Sequence, residues 1–285
     1  MKKALNCPYS IIDHEIICEH KKARVTPSDI KTVHNHDGYE VVLFLKGDVN
    51  IMIEPEIFKM KKGDMFLISP LTFHGLDLID ISGYERIVIN IQLEYLKRMG
   101  DDETDFSTLF RSENNPNMNH LHIPEEALPR FISIARNLEE ANRSDCYGHR
   151  ILSRSYLSEF LLLTCKYSEN VPQKKSSVMP DVVARIFEYI DIHLTEDITV
   201  GSMSDALHYS SDHLSRAFGE ATGDSLKHYI NAKKIALAQK LLLENNSPYD
   251  VCFMVGYNNY SSFSRRFSNQ IGLSPKQFQL SHKTG

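Results

Sequence analysis

No apolar run in this 285-residue chain reaches the roughly 18 residues that a membrane span requires. The opening stretch, MKKALNCPYSIIDHEIICEH, starts basic, but Asp13 and Glu15 interrupt it before an apolar core develops, so no secretory leader is expected. Cysteine is sparse. Cys7, Cys18, Cys146, Cys165 and Cys252 are odd in number and scattered, and no CxxC pair occurs. That pattern indicates neither a disulfide framework nor a cysteine zinc site, and it fits reduced thiols in a cytoplasm. Positive charge is short too: the net charge is −5, which does not advertise nucleic-acid binding. No nucleophile–base pair, phosphate loop or dinucleotide fingerprint is present. What remains is an ordinary globular composition, 42% hydrophobic and 24% charged, long enough for two domains.

The first part reads as β. YEVVLFLKGDVNIMIE is two apolar strands around a Lys46-Gly47-Asp48 hairpin signal, and FKMKKGDMFLISPLTFHGLDL repeats the pattern around Lys62-Gly63-Asp64. YERIVINIQL follows as another strand. Short strands punctuated by Gly and Pro predict a small antiparallel barrel or jelly roll over about 10–95. The segment from Leu96 to His122 is polar and irregular, with Asn114 to His120 as a loop. Helices begin near Pro124 and continue to about 168. One of them carries Ile151, Leu152, Tyr156, Leu157, Phe160, Leu161 and Thr164 at helical spacing. Such a helix needs a partner, either the barrel or another subunit; a homodimer that uses it is the expectation. The polar stretch 169–179 is the best linker, and from 180 to 285 the pattern is all helical.

The C-terminal part contains one motif twice. Leu214-Ser215-Arg216-Ala217-Phe218 aligns with Phe263-Ser264-Arg265-Arg266-Phe267, and Thr222-Gly223-Asp224-Ser225 with Ile271-Gly272-Leu273-Ser274, at the same 49-residue offset. Each copy reads as helix, tight break, second helix, with Ser210 and Asn258 as N-caps and Gly256 at a left-handed position. This is the grammar of a helix-turn-helix, whose second helix fits a DNA major groove. DSLKHYINAKKIALAQKLLLE is a rigid connector that can hold two such helices over successive grooves, about 34 Å apart.

From Ile198 to Phe278, about 80 residues, the sequence resembles the DNA-binding domain of the AraC/XylS family of bacterial transcription regulators. GYNNYSSFSRRF followed by GLSPKQF is the most specific part. Gly201-Ser202 and Gly219-Glu220 depart from the usual acids and lysines. The resemblance implies that Asp212, Ser215 and Arg216 in the first copy, and Tyr260, Ser261, Ser264 and Arg265 in the second, read bases in double-stranded DNA. Arginine can grip guanine bidentately; on a bare helix surface it can equally form a salt bridge. From Ser176 onward there are 10 Lys plus Arg and 11 Asp plus Glu, so non-specific affinity should be weak and salt-sensitive. Arg216, Lys233, Lys234, Arg265, Arg266 and Lys276 are the cations available to face DNA.

HNHDGYEVVLFLKG resembles the first motif of cupins: His34, His36, Glu40 and Gly47. The second motif, GDMFLISPLTFHG, keeps Gly63, Pro70 and His74 but has Leu71 where cupins carry glycine. AraC-type regulators place such a barrel at the N-terminus as the effector sensor. Residues 34, 36 and 40 share one face of an unbroken strand by alternation, and His74 can complete a set of three histidines and one carboxylate. Three roles stay open for this set: holding Zn, Mn, Fe or Ni, contacting a small effector, or forming a polar network. Tyr39, Phe44, Phe66 and Phe73 are candidates to line the same cavity, though a buried aromatic is more often core.

The expectation is therefore a two-domain regulator, β followed by α. Residues 1–168 sense and dimerise through a cupin-like antiparallel barrel with following helices; residues 180–285 form an all-α DNA-binding domain with two helix-turn-helix motifs. His34, His36, Glu40 and His74 are expected to bind the effector, a sugar or other polar metabolite, with no tightly held metal and no cofactor. DNA, a second copy and, for an activator, RNA polymerase are the expected partners; no membrane association is expected. The alternative is a metal-dependent cupin enzyme, such as an isomerase or dioxygenase, fused to a DNA-binding domain.

Overall fold

A computed structural model of the chain describes residues 9–10, 12, 14–22, 33–112, 115, 118–168 and 179–281. The chain divides into two compact units, one of 11–31 with 35–178, the other of 179–285 with the short segments 1–10 and 32–34. The strands are β1 (Tyr9–Ser10), β2 (Ile16–Lys22), β3 (Asn35–His36), β4 (Tyr39–Ile53), β5 (Glu56–Lys59), β6 (Asp64–Ile68), β7 (His74–Ile91) and β8 (Met118–His122). Six of them form an antiparallel sheet in the order β2-β7-β4-β6-β8, with β5 also pairing β4. Helices α1 (Leu93–Met99), α2 (Leu128–Arg143) and α3 (His149–Cys165) follow, with a 3-10 turn at Phe106–Phe110.

Alternation along the strands creates two buried faces. Val41, Leu43, Met65, Leu67, Ile87 and Ile89 join Phe131, Ile134 and Leu138 of α2 and Leu157, Phe160 and Leu161 of α3 in one apolar cluster. Val42, Phe44, Ile51, Ile53, Phe58, Phe66, Ile68, Tyr84 and Met118 form a second, on the opposite face. This is why VVLFL is apolar throughout rather than alternating: both of its sides are covered.

The structure corrects several local expectations. Lys46-Gly47-Asp48 is not a hairpin turn. β4 runs through it, with register shifts against β7 on either side and Gly47 at φ +128. The extra residues coil a strand too long to stay flat, and the turn into β5 lies at Glu54-Pro55. Of the expected Asn114–His120 loop, Met118, Asn119 and His120 belong to β8 and pair with β6, while Asn114, Pro116 and Asn117 lie outside the described residues. Helix α2 starts at Leu128 rather than near Pro124, after a turn closed by Ala127 N–H on the Pro124 carbonyl at 3.0 Å. Leu157 and Leu161 are fully buried in their own chain, so they are core rather than a dimer face; Ile151, Leu152 and Leu162 are the exposed apolar residues of α3.

Between 179 and 281 every regular element is helical: α4 (Asp181–His193), α5 (Val200–Leu207), α6 (Ser211–Thr222), α7 (Leu226–Leu243), α8 (Pro248–Met254), α9 (Tyr260–Ile271) and α10 (Pro275–Ser281). One core is the aromatic trio Phe187, Phe218 and Tyr229, with ring centroids 5.1–5.5 Å apart. The other gathers Val251, Cys252, Val255, Phe263, Phe267, Ile271 and Phe278. Helix α7 supplies Tyr229 to the first and Ile235, Ala238 and Leu242 to the second, which makes it the shared backbone of both halves.

Candidate functional sites

The duplicated motif folds into two matching helix pairs, α5–α6 and α8–α9. The second helices are each 12 residues long. Ser210 caps α6 by accepting from His213 N–H, and Asn259 caps α9 by accepting from Ser262 N–H. The expected cap at Asn258 is displaced by one residue, because Asn259 has the extended backbone (φ −147, ψ 120) that a cap requires. Both helices stop at a glycine in the left-handed region, Gly223 (φ +75) and Gly272 (φ +81). Leu214 and Phe218, and their equivalents Phe263 and Phe267, are fully buried.

That packing turns the opposite face of each helix outward. Asp212, Ser215 and Arg216 are exposed on α6, as are Ser261 and Arg265 on α9; Tyr260 and Ser264 are half-buried. The Tyr260 ring packs near Phe263 and Tyr249, with centroids 6.1 and 6.0 Å away, so part of it belongs to the core. Neither Arg216 nor Arg265 has an ion-pair partner among the described residues. The salt-bridge alternative raised by the sequence therefore has no support in the geometry.

Two of the cations expected to face DNA are committed elsewhere. Lys234 is buried; its Nζ donates to the Glu196 carbonyl at 2.6 Å and to the Gly256 carbonyl at 3.3 Å. Lys233 pairs with Asp191 at 3.0 Å, and burial pushes its ammonium down to about 8. Both sit on α7, whose two-sided burial the sequence pattern did not reveal. Arg216, Arg265, Arg266 and Lys276 stay exposed.

In the β domain His36, Glu40 and His74 converge, but not on an unbroken strand. Four residues of extended chain would separate positions 36 and 40 by about 13 Å. The chain instead bends at Asp37-Gly38 between β3 and β4, and His36 Nε2 comes within 2.8 Å of Glu40 Oε2. Gly38 makes the bend possible, because a Cβ there would lie 2.7 Å from the Ile91 carbonyl oxygen. His74, at the start of β7, brings its Nε2 within 3.3 Å of the same carboxylate oxygen. The two imidazole rings meet edge to face, with centroids 5.0 Å apart. His34, the fourth residue of the expected set, belongs to the other compact unit.

Backbone contacts fix how these rings are used. His36 Nδ1 donates to the Gly38 carbonyl at 3.0 Å and His74 Nδ1 to the Thr72 carbonyl at 2.9 Å. Each ring thus presents Nε2 to Glu40. Two bare lone pairs would repel a carboxylate, so either the Nε2 atoms carry protons or a cation lies among them. Burial alone would lift Glu40, but the charge of His74 and the hydrogen bond from His36 hold it well below the usual carboxylate range. Burial likewise opposes charge on His36, and the hydrogen bond to Glu40 overcomes it and raises the imidazole. The donor set and the outward Nδ1 bonds also fit a divalent transition metal, whose histidine ligands commonly donate their other nitrogen to a carbonyl.

The expected aromatic lining divides. Phe44 and Phe66 lie on the inner face with Glu40, and Phe73 is buried. Tyr39 points to the helix side, its ring 4.6 Å from Phe110. Sequence reasoning missed Arg86 and Asn90, which face inward directly opposite Phe44 and Glu40. It also missed Asp64, whose Oδ1 lies 3.1 Å from His122 Nδ1 and 3.5 Å from His120 Nε2. The alternation in YERIVINIQL carries the signal for Arg86 and Asn90, since Ile87, Ile89 and Ile91 occupy the other face.

Comparison with known proteins defines the class. Residues 23–148 match the AraC-like ligand binding domain and residues 203–281 match a helix-turn-helix domain. The chain belongs to the AraC family: an AraC-like ligand-binding domain joined to an AraC-type DNA-binding domain. Among its relatives, the HTH-type transcriptional regulator YbfI of Bacillus subtilis is 26% identical over 80% of this chain and 79% of its own length. The HTH-type transcriptional regulator SAR0107 of Staphylococcus aureus is 23% identical over 85% of this chain. The chain spans about a third of the length of the Staphylococcus aureus relatives that it matches. Two similar structures are the C-terminal domain of AraT, a response regulator from Geobacillus stearothermophilus, and ToxT from Vibrio cholerae. AraT is 29% identical over 37% of this chain and 88% of that one, with a TM-score of 0.36. ToxT is 12% identical over 95% of this chain and 99% of that one, with a TM-score of 0.38.

Proposed function

We propose that this chain is a cytoplasmic, sequence-specific transcription regulator, not an enzyme, that responds to a small polar molecule bound in its β domain. Residues 1–168 sense and dimerise, and 180–285 bind DNA. The linker placed at 169–179 lies outside the described residues except for Met179. The observation that carries the reading is the matched pair α6 and α9, equally long, equally capped, and each exposing an arginine with no ion-pair partner. Helix α7, about 27 Å long at 1.5 Å per residue, spaces them for successive major grooves. Asp212, Ser215, Arg216, Tyr260, Ser261, Ser264 and Arg265 contact DNA in this reading, with Arg216 and Arg265 as the main base readers. His34, His36, Glu40 and His74 bind the effector. An activator of this kind would also touch RNA polymerase.

The test is a promoter–reporter assay with footprinting on the DNA flanking the gene. His36→Ala should abolish the effector response while footprints persist. A full response in that variant reduces His36 to scaffold; no footprint from the wild type removes the regulator reading.

One observation favours a second reading of the same residues. The Nε2 atoms of His36 and His74 converge on Glu40 with their Nδ1 atoms already bonded to carbonyls, an arrangement that a Zn, Mn, Fe or Ni ion would satisfy. Elemental analysis after dialysis against a chelator decides. One metal per chain supports this second reading; none supports the effector pocket.

A further inference from the structure

The inner face of the sheet holds a cation without a counter-ion. Arg86 lies on β7 between two cross-strand neighbours, Phe44 on β4 and Lys21 on β2. Its guanidinium centre is 5.5 Å from the Tyr84 ring centroid. The Tyr84 hydroxyl lies close enough to interact with this guanidinium, yet Arg86 Nε is buried with no hydrogen-bond partner. The Asn90 side-chain oxygen, on the same strand face, is also buried without a partner.

No acid of the described residues neutralises this group. Glu40, across from Asn90, is shared between His36 and His74. Glu19 pairs with Lys21 at 2.9 Å, and Lys21 stands directly opposite Arg86. Arginine cannot discharge itself by losing a proton, so this half-buried guanidinium, with its Nε out of reach of solvent, calls for an anion or water. Its planar fork of donors matches a carboxylate in bidentate geometry.

We propose that the effector is a small organic carboxylate, whose carboxylate pairs with Arg86. The rest of the face describes the remainder of that molecule. Arg86 and Asn90 are four residues apart on one strand, about 13 Å. Val88 lies between them with Val42 across from it, which makes the middle apolar. The Asn90 oxygen needs a donor, such as a hydroxyl or amine. The ligand is therefore an acid with an apolar or ring-shaped middle and a hydrogen-bond donor at its far end. This narrows the sugar or polar metabolite expected from the sequence to an acidic one, and it rests on the inner face being the effector pocket.

The test uses the full chain and matched probes at constant ionic strength. Acetate, 4-hydroxybenzoate and galacturonate are compared with acetamide, 4-hydroxybenzamide and galactose by calorimetry and thermal unfolding. At least one acid should bind and stabilise the wild type while its uncharged partner binds at least about tenfold more weakly. Arg86→Gln should erase that preference, and Arg86→Lys, which keeps charge but not the fork, should retain part of it. Equal binding of acid and neutral partner, or an acid preference that survives Arg86→Gln, overturns the carboxylate while leaving the effector pocket intact. If none of the three acids binds the wild type, the carboxylate assignment fails as well, whatever the stability of Arg86→Gln. Loss of the reporter response in His36→Ala remains the separate test of the pocket itself.

Discussion

Arg265 and Lys234 are both basic residues of the DNA-binding unit, and their surroundings differ: one is exposed and the other buried. Arg265 projects from α9 with nothing to hold it. Replacing it with alanine should cost about 1–3 kcal/mol on the cognate site and relax preference at one base pair, measured by binding to a set of single-base operator variants. Lys234 donates to the carbonyls of Glu196 and Gly256, tying the segment before the first motif to the turn of the second. Lys234→Met leaves both carbonyls without their donor, and should lower the unfolding free energy by about 1–3 kcal/mol. Its effect on DNA binding should be uniform across sequences. A stable Lys234→Met protein with a smaller salt dependence of binding would return Lys234 to the DNA face. The sequence made Arg265 legible because its neighbours Phe263 and Phe267 mark the buried side of a regular helix. It could not separate Lys234 from its exposed relatives, since α7 is covered on several sides and has no single polar stripe to read.

At the level of elements, α3 and the start of α7 carry distinct expectations. The exposed Ile151, Leu152 and Leu162 make α3 the candidate dimer face, whereas Leu157 and Leu161 are its inward side. Leu162→Glu should leave the fold intact, within about 0.5 kcal/mol, and yield monomers in sedimentation. Leu157→Glu with Leu161→Glu should instead unfold the β unit, at a cost of at least about 4 kcal/mol, by placing charges in its core. A Leu162→Glu protein that stays dimeric places the interface elsewhere. Helix α7 begins with His228 Nδ1 2.8 Å from Asp224 Oδ2, and that hydrogen bond raises the imidazole above its ordinary 6.5. A raised histidine stabilises the fold fully below the unfolded value, and the contribution fades as pH climbs through the folded one. Thermal unfolding of the C-terminal unit should therefore be more resistant at about pH 6 than at about pH 8, and His228→Gln should shrink that difference. An unchanged difference in the variant would assign the pH dependence to other groups.

For the whole molecule, charge and modularity set the expectations. The C-terminal unit has its own two cores, so a fragment from Met179 onward should fold and bind operator DNA weakly, with the same base preferences as the full chain. A fragment that folds but shows no sequence preference would make the β domain part of DNA recognition. Much of this organisation was readable in the linear text. The 49-residue repeat, with apolar residues at i and i+4 and glycine after each helix, specifies two capped helices, because caps and stripes are local and need no distant partner. The β character of the first part was readable for the same reason, whereas the candidate set His34, His36, Glu40 and His74 was suggested by the resemblance to the two cupin motifs. Contacts between residues remote in sequence were not. Alternation places 36 and 40 about 13 Å apart, and only the bend that Gly38 allows against Ile91 brings them together on Glu40, with His74 arriving from another strand. The same limit hid Arg86, whose isolation depends on Phe44, Lys21, Glu19 and Glu40 being where the sheet register puts them. Local periodicity determined what each segment of this protein is; strand register and helix packing decided which polar groups meet, because those distances are set by parts of the chain that do not know of one another until it folds.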